Sequence, residues 1–243
     1  MILRVFSLIS FIAFELCVAQ QLPLPVTTCH QDSPDFSVCL KRGLQEAWSR
    51  LAQGFPEFDF PSLDPLIYHY RASFESNSLN ADITVSNSTA VGLAKTRILD
   101  VRSHFFGDRF RIELDLDIPK LYLEGIMAVK GNLGPFRMDT NPEKFNLSII
   151  DVKATCNTTG NIVNDKVIIE HFNIVPEIGN LKIYFKLLRS KELNDFAVQF
   201  INENWPAYYQ GITSSAISRL EPWLIDLINR WMSKIFFFQA QPT

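Results

Sequence analysis

The chain has 243 residues, 47% hydrophobic and 20% charged, with a formal net charge of -3 and a pI near 5.8. These values fit one large globular domain or two small ones. There is no basic block of the kind nucleic acid selects, and no basic amphipathic segment suited to an anionic membrane.

The N-terminus reads as a secretory leader. Arg4 gives a positive start, Val5 to Phe14 an apolar run, and Cys17-Val18-Ala19 a small-residue cleavage site. That run is too short to span a bilayer as a helix, and no later apolar run reaches spanning length. Residues 1–19 are therefore expected to be removed, leaving residues 20–243 as a single secreted domain with no integral membrane association. Cys17 leaves with the leader, so Cys29, Cys39 and Cys156 remain. Three thiols allow one bridge and one leftover. Cys29 and Cys39, close in sequence, are the expected pair, contributing about 2.7 kcal/mol on a chain-entropy argument. Cys156 is then a buried thiol or an intermolecular link. Secretion also gives meaning to three sequons, at Asn87, Asn146 and Asn157, which would lie at the surface if glycosylated.

Ser33-Pro34-Asp35 reads as a helix start, with Ser33 as cap. Phe36, Leu40, Leu44, Ala47, Trp48 and Leu51 follow a three-four rhythm, and Gly54 and Pro56 end the helix. "GFPEFDFPSLDPLIY" (Gly54 to Tyr68) is an extended connector with three prolines. Strand-like runs follow. They are Tyr68 to Phe74, Leu79 to Val85, Val91 to Arg102, Phe110 to Ile118, Leu121 to Val129, Phe145 to Ala154, Lys166 to Val175 and Leu181 to Leu187. Turn residues at short intervals between them favour antiparallel meanders. In the fourth run Phe110, Ile112, Leu114, Leu116 and Ile118 alternate with Arg111, Glu113, Asp115 and Asp117, giving one oily and one charged face. A short helix from Glu192 to Asn204 is expected before Asn204-Trp205-Pro206, and a longer one from about Ile212 to Phe237. The oily arc of the longer helix is wide enough to be wrapped by a curved sheet. The fold class is α+β, a curved antiparallel sheet around a long helix.

Catalytic signals are sparse. The four histidines, His30, His69, His104 and His171, show no metal-ligand spacing, and no zinc, calcium, acyl-transfer or phosphate-loop motif occurs. His69 and His171 read as structural histidines. Asp115 and Asp117 point the same way, but as part of an outward charged face rather than as a glycosidic pair. Neither a cofactor nor a metal is expected. The 20 phenylalanines fit a rich core or the wall of a greasy cavity.

Four stretches, taken in order, resemble the takeout and juvenile-hormone-binding protein family of insects across nearly the whole mature chain. They are the Cys29/Cys39 pair, the "GFPEFDFPSLDPLIY" connector, "LEGIMAVKG" (Leu123 to Gly131) and "INENWP" (Ile201 to Pro206). The resemblance implies an elongated super-roll, with a strongly curved sheet wrapped round a long C-terminal helix and enclosing a tunnel for a lipophilic ligand. It implies a secreted carrier, not an enzyme, from a family active in hormone transport, feeding, circadian output and chemosensation. It also implies the Cys29–Cys39 bridge. After "VKG" the chain departs from the family's Leu-Pro-Ile and Gly-x-Gly pattern, which leaves the strand pairing there open. A second disulfide is absent, which tilts the match toward the takeout branch.

Strand parity selects the wall of such a tunnel: Tyr70, Phe74, Ile83, Ile112, Leu114, Leu116, Leu123, Met127, Ile183, Phe185, Leu224, Leu227 and Trp231. Tyr68, Tyr70 and His171 are the polar groups expected to orient a head group, and the Trp48 face of the first helix would close one end. The expected partner is one hydrophobic small molecule, a terpenoid or fatty acid, with a receptor as a second partner class. Two other readings stand beside it: a secreted interaction protein with a filled core, and a hydrolase of hydrophobic esters.

Overall fold

The computed structural model describes residues 27, 29–30, 33–56, 59–75, 79–133, 136–163, 166–186 and 188–232. The expected leader lies outside these residues, as does the part of the expected last helix after residue 232.

Helix α1 spans Phe36–Gln53 and buries Phe36, Leu40, Ala47 and Leu51, the rhythm its sequence sets. Its start is not capped by Ser33. Asp35 is the N-cap residue and makes no side-chain cap bond, while the Ser33 hydroxyl accepts the Asp35 N–H at 3.3 Å. The helix stops at Gly54, whose φ of 81° favours glycine. Cys29 and Cys39 are bridged, which ties the N-terminal arm to the first turns of α1.

Among the described residues seven strands follow: β1 Leu66–Glu75, β2 Leu79–Val91, β3 Arg97–Phe106, β4 Arg109–Leu133, β5 Phe136–Asp139, β6 Glu143–Val163 and β7 Lys166–Phe185. They form one antiparallel sheet in the order β1-β2-β4-β6-β7, with β3 and β5 each paired to β4. β2 and β3 share one edge of β4 end to end, while β6 and β5 share the other. The departure after "VKG" is the β4–β5 hairpin, pairing Lys130 with Asp139 and Leu133 with Phe136.

Two expected segmentations are corrected. Val91 to Arg102 is not one strand. The chain breaks at Gly92, with φ 119°, and makes a 3-10 turn over Leu93–Lys95, where the Asp64 carboxylate accepts the N–H groups of Gly92 and Ala94. In the opposite sense, the runs expected as separate short strands fuse into β4, β6 and β7, of 25, 21 and 20 residues. The cause is a shared break in the pleat. Pro119 and Lys120 on β4, and Gly179 and Asn180 on β7, are consecutive exposed pairs, and Asp151 on β6 is exposed with φ 55°. The hydrogen-bond register runs through this level without a shift, Ile118 with Val152 and Ile178 on one side, Lys120 with Ile150 and Asn180 on the other. Only the phase of the inward residues changes, so a period-two reading loses the strand there.

The expected pair of C-terminal helices is also corrected. A single helix α2 covers Lys191–Met232, with Pro206 and Pro222 inside it. Its 42 residues reach about 63 Å. Both prolines face solvent, and anchors on either side of Pro206 hold the helix to the sheet, offsetting the lost backbone bond.

α2 runs antiparallel to β7 along the free edge of the sheet. Asn202 accepts the Ile183 N–H at 2.8 Å and donates to the Ile183 carbonyl at 2.9 Å. Asn229 does the same to Ile169, at 2.7 and 2.8 Å. Between them the Tyr209 hydroxyl donates to the Pro176 carbonyl at 2.6 Å. The open ladder of an edge strand is thereby capped by side chains. α1 treats β3 likewise: Gln45 accepts the Ile98 N–H at 2.7 Å and donates to the Thr96 carbonyl, while Lys41 donates to the Leu99 carbonyl.

Candidate functional site

Helices α1 and α2 are fastened at edges, and that placement decides the shape of the inner face. The close backbone approaches of α1 are to β3 and the 3-10 turn, and those of α2 are to β7 and β1. Strand β6 lies between. Beyond the pleat break its inward residues are small: Ala154, Cys156, Thr158 and Gly160, all buried. Each sits between two larger residues in register. The cross-strand rows are Leu116–Ala154–Pro176, Leu114–Cys156–Ile174, Ile112–Thr158–Phe172 and Phe110–Gly160–Ile169. A lane of short side chains between two rows of long ones is a trough. At about 3.3 Å per residue it is roughly 20 Å long.

Its surroundings are apolar. At one end Phe110, Val167 and Ile169 pack with Ile225 and Ile228 of α2. On the β3 side Phe36 and Leu40 of α1 join Ile98 and Val101, with Ile112, Leu114 and Leu116 against them. The Phe36 and Phe105 rings meet edge to face at 5.2 Å. Beyond the pleat break lies a second cluster, where Val85, Met127, Phe145 and Phe185 pack with Ala197 and Tyr208 of α2, and Ile83, Leu123 and Ile183 lie against it. Ile112, Leu114, Leu116, Leu123 and Ile183 stay only half-buried although they face inward among these clusters. Close-packed interiors leave few such residues, so space adjoins them.

The expected wall residues thus fall into two groups. Ile112, Leu114 and Leu116 line the trough. Ile83, Leu123, Met127, Ile183 and Phe185 belong to the cluster at the other end. Leu227 is buried and Leu224 half-buried on α2. Tyr70, Phe74 and Trp231 lie on β1 and α2, with side chains outside the described ones. The floor of β6 is absent from the expected wall because small residues carry no hydrophobic signal; their spacing of two along one strand was the available cue.

Among the polar groups, His171 is corrected: it is exposed, because the bulge at Thr159/Gly160 turns that part of β7 outward. His69 is exposed as well. Tyr68 is half-buried and shares a hydrogen bond with Ser88, with burial pushing its phenol pKa up. Ser88 is wholly buried and donates to the Ser86 carbonyl. Gly125 makes this fit, since a Cβ there would lie 2.2 Å from Ser88 Oγ. Trp48 is half-buried and its indole N–H donates to the Leu93 carbonyl at 2.7 Å, docking α1 on the 3-10 turn. The Cys156 thiol is buried, and burial pushes its pKa up to about 12.

The charged face of β4 is outward and internally paired. Arg102 binds Asp115, Glu113 and Asp100, and Arg97 binds Asp117. The two aspartates expected to share a face therefore each hold an arginine. Two clefts open at the surface. One, of about 490 Å³, is lined by Arg71, Asp82, Lys130 and Asp139 among others; the other, of about 300 Å³, by Phe106, Arg109, Arg111 and His171 together with Phe110 and Gly160, the end row of the trough. Neither includes an expected wall residue. Among the described residues no group of His, Cys, Asp and Glu is placed to hold a metal, and no helix is long and apolar enough to cross a membrane.

The roll, the edge-bound helix and the bridged arm are matched at the level of sequence. The family model for haemolymph juvenile hormone binding protein matches residues 6–239. The chain belongs to that family. Its fold is shared with Takeout 1 of Epiphyas postvittana, whose crystal structure matches with a TM-score of 0.74 at 16% identity, covering 88% of this chain and 100% of that one. Comparison with curated proteins finds no match. The juvenile hormone binding family is one of binding proteins, and in this member the connector, the "LEGIMAVKG" strand and the "INENWP" segment have structural roles. "INENWP" supplies Asn202 to clamp the sheet edge, and "LEGIMAVKG" supplies Gly125 beside Ser88.

Proposed function

We propose that this protein is a secreted carrier that holds one elongated hydrophobic molecule, a terpenoid or fatty-acid-like compound, along the inner face of its roll. The supporting observation is the trough, with small residues of β6 between bulky rows of β4 and β7 and both helices fastened at its edges. Membership in a family named for binding a hormone in haemolymph supports the same reading.

Burial supplies the affinity. Each methylene removed from water contributes about 0.8 kcal/mol, so ten contribute about 8 kcal/mol before ordering costs, near micromolar binding. An apolar channel achieves this without a charged partner. In this reading residues 1–19 are the leader, the mature chain is one domain from about Gln20, and Asn87, Asn146 and Asn157 are glycan acceptors. Asn87 is exposed, and Asn146 and Asn157 lie on the outer face of β6.

Organic extraction of the protein purified from secreting cells, followed by mass spectrometry, tests the carrier reading. A stoichiometric hydrophobic compound is the expected result. An empty extract, together with no displacement of a fluorescent naphthylamine probe by long-chain lipids, would replace the carrier with an interaction protein whose core is filled.

A further inference from the structure

Among the described residues four polar ones are buried: Ser88, Thr96, Thr158 and Asn194. Three are satisfied. Ser88 bonds the Ser86 carbonyl, Thr96 the Leu93 carbonyl, and Asn194 both Leu188 and Phe185. Thr158 is 7% exposed as a residue, and its hydroxyl has no partner among the described residues. It stands on the floor of the trough, between Ile112 and Phe172. A hydroxyl withdrawn from water without a partner is destabilising by about 1–3 kcal/mol, and native proteins keep few of them. Something that enters the trough is the natural partner.

The surroundings restrict what that partner is. The inward neighbours of Thr158 across and along the sheet are Ile112, Phe172, Cys156 and Gly160, all uncharged. Arg111 faces outward and is paired with Glu113. A carboxylate seated here would be buried without a counter-charge, which is far more costly than burying a neutral oxygen. A hydroxyl both donates and accepts, so a carbonyl, ether or alcohol oxygen is equally suited to it.

We infer that Thr158 is the polar anchor of the trough, binding a single neutral oxygen on an otherwise apolar ligand, with the small residues around it making room for that end. The inference rests on the carrier reading and adds to it a contact residue and a preference for neutral ligands over anionic ones.

The test uses the full secreted chain with a bound naphthylamine probe, displaced by tetradecane, methyl myristate or myristate at pH 8. Wild type is expected to take the ester about tenfold more tightly than the alkane, the worth of one buried hydrogen bond, and more tightly than the carboxylate. Thr158→Val is expected to lose the ester preference and keep its alkane affinity, and Thr158→Ser to restore the preference. An ester preference that survives in Thr158→Val, or wild-type binding of alkane and ester alike, overturns the anchor and leaves the carrier standing. Failure of all three to displace the probe overturns both.

Discussion

Asn229 of α2 grips Ile169 of β7 by both main-chain groups, its Oδ1 accepting the Ile169 N–H and its Nδ2 donating to the Ile169 carbonyl. Asn202 repeats the grip on Ile183, and Gln45 of α1 spans Thr96 and Ile98 on β3. A primary amide is the one side-chain group that can imitate a neighbouring strand, donating and accepting in the same plane. The distances agree: 27 helical residues cover about 40 Å and 14 strand residues about 46 Å. Helix and edge strand therefore stay in step between the two clamps.

Asn229→Leu and Asn202→Leu each remove two hydrogen bonds and leave an N–H and a carbonyl at a half-covered edge. Each is expected to destabilise the fold by about 2–4 kcal/mol and to promote aggregation through the exposed edge of β7. Asn202→Asp keeps the acceptor but sets a carboxylate oxygen against the Ile183 carbonyl, so it should be destabilised as well, and less so at acid pH where the carboxyl is protonated and can donate. Denaturant unfolding with parallel light scattering checks this, and a leucine variant as stable as wild type would show the clamps to be incidental.

These clamps mark the limit of what the sequence discloses. The apolar rhythm of α1, its stop at Gly54, the Cys29–Cys39 bridge and the inward set from Phe110 to Ile118 are all legible, because each is local. The continuity of β4, β6 and β7 is not, since Pro119, Asp151 and Gly179 shift the phase of alternation at a level only the assembled sheet reveals. The continuity of α2 through Pro206 is hidden for a related reason: its support comes from β7, not from helix propensity. The floor of the trough escapes notice because Ala154, Cys156 and Gly160 matter through what they leave empty.

Gly125 faces the wholly buried Ser88. Adding a Cβ 2.2 Å from Ser88 Oγ forces the strands apart or displaces the Tyr68–Ser88 pair. Gly125→Ala is expected to lose about 1–3 kcal/mol, the usual range for overpacking. The double variant Gly125→Ala with Ser88→Gly should recover only part of it, because the Ser88 Cα, 2.8 Å from the new Cβ, remains. Thermal unfolding of the single and double variants decides the matter, and additive losses would rule out this contact as the cause.

The Arg102 guanidinium holds the carboxyls of Glu113 and Asp115 below the usual carboxylate range, chiefly by direct hydrogen bonds. A depressed folded pKa stabilises above the unfolded value, about 4, and that contribution is lost as pH falls through the lower folded value. Stability from this cluster should therefore be flat from pH 7 to about 5 and fall below about 4. The carboxylates are half-buried at the outer face and still reached by solvent, so the effect is small and weakens with salt. In Arg102→Met the acid slope of the melting temperature should flatten; an unchanged slope would assign acid sensitivity to other carboxylates.

Filling the trough tests its emptiness directly. Leu116 and Ala154 face each other in register, one on the wall and one on the floor. In a packed core, Leu116→Trp or Ala154→Phe would overfill the space and destabilise the fold by about 1–3 kcal/mol or more. Beside a hollow, the added ring enters free space and gains burial, so the melting temperature should hold or rise while probe uptake falls. The two quantities move in opposite directions only if unfilled volume lies over β6. A variant that loses stability and still binds the probe would place the ligand elsewhere, in the cluster of Met127, Phe145 and Phe185 beyond the pleat break.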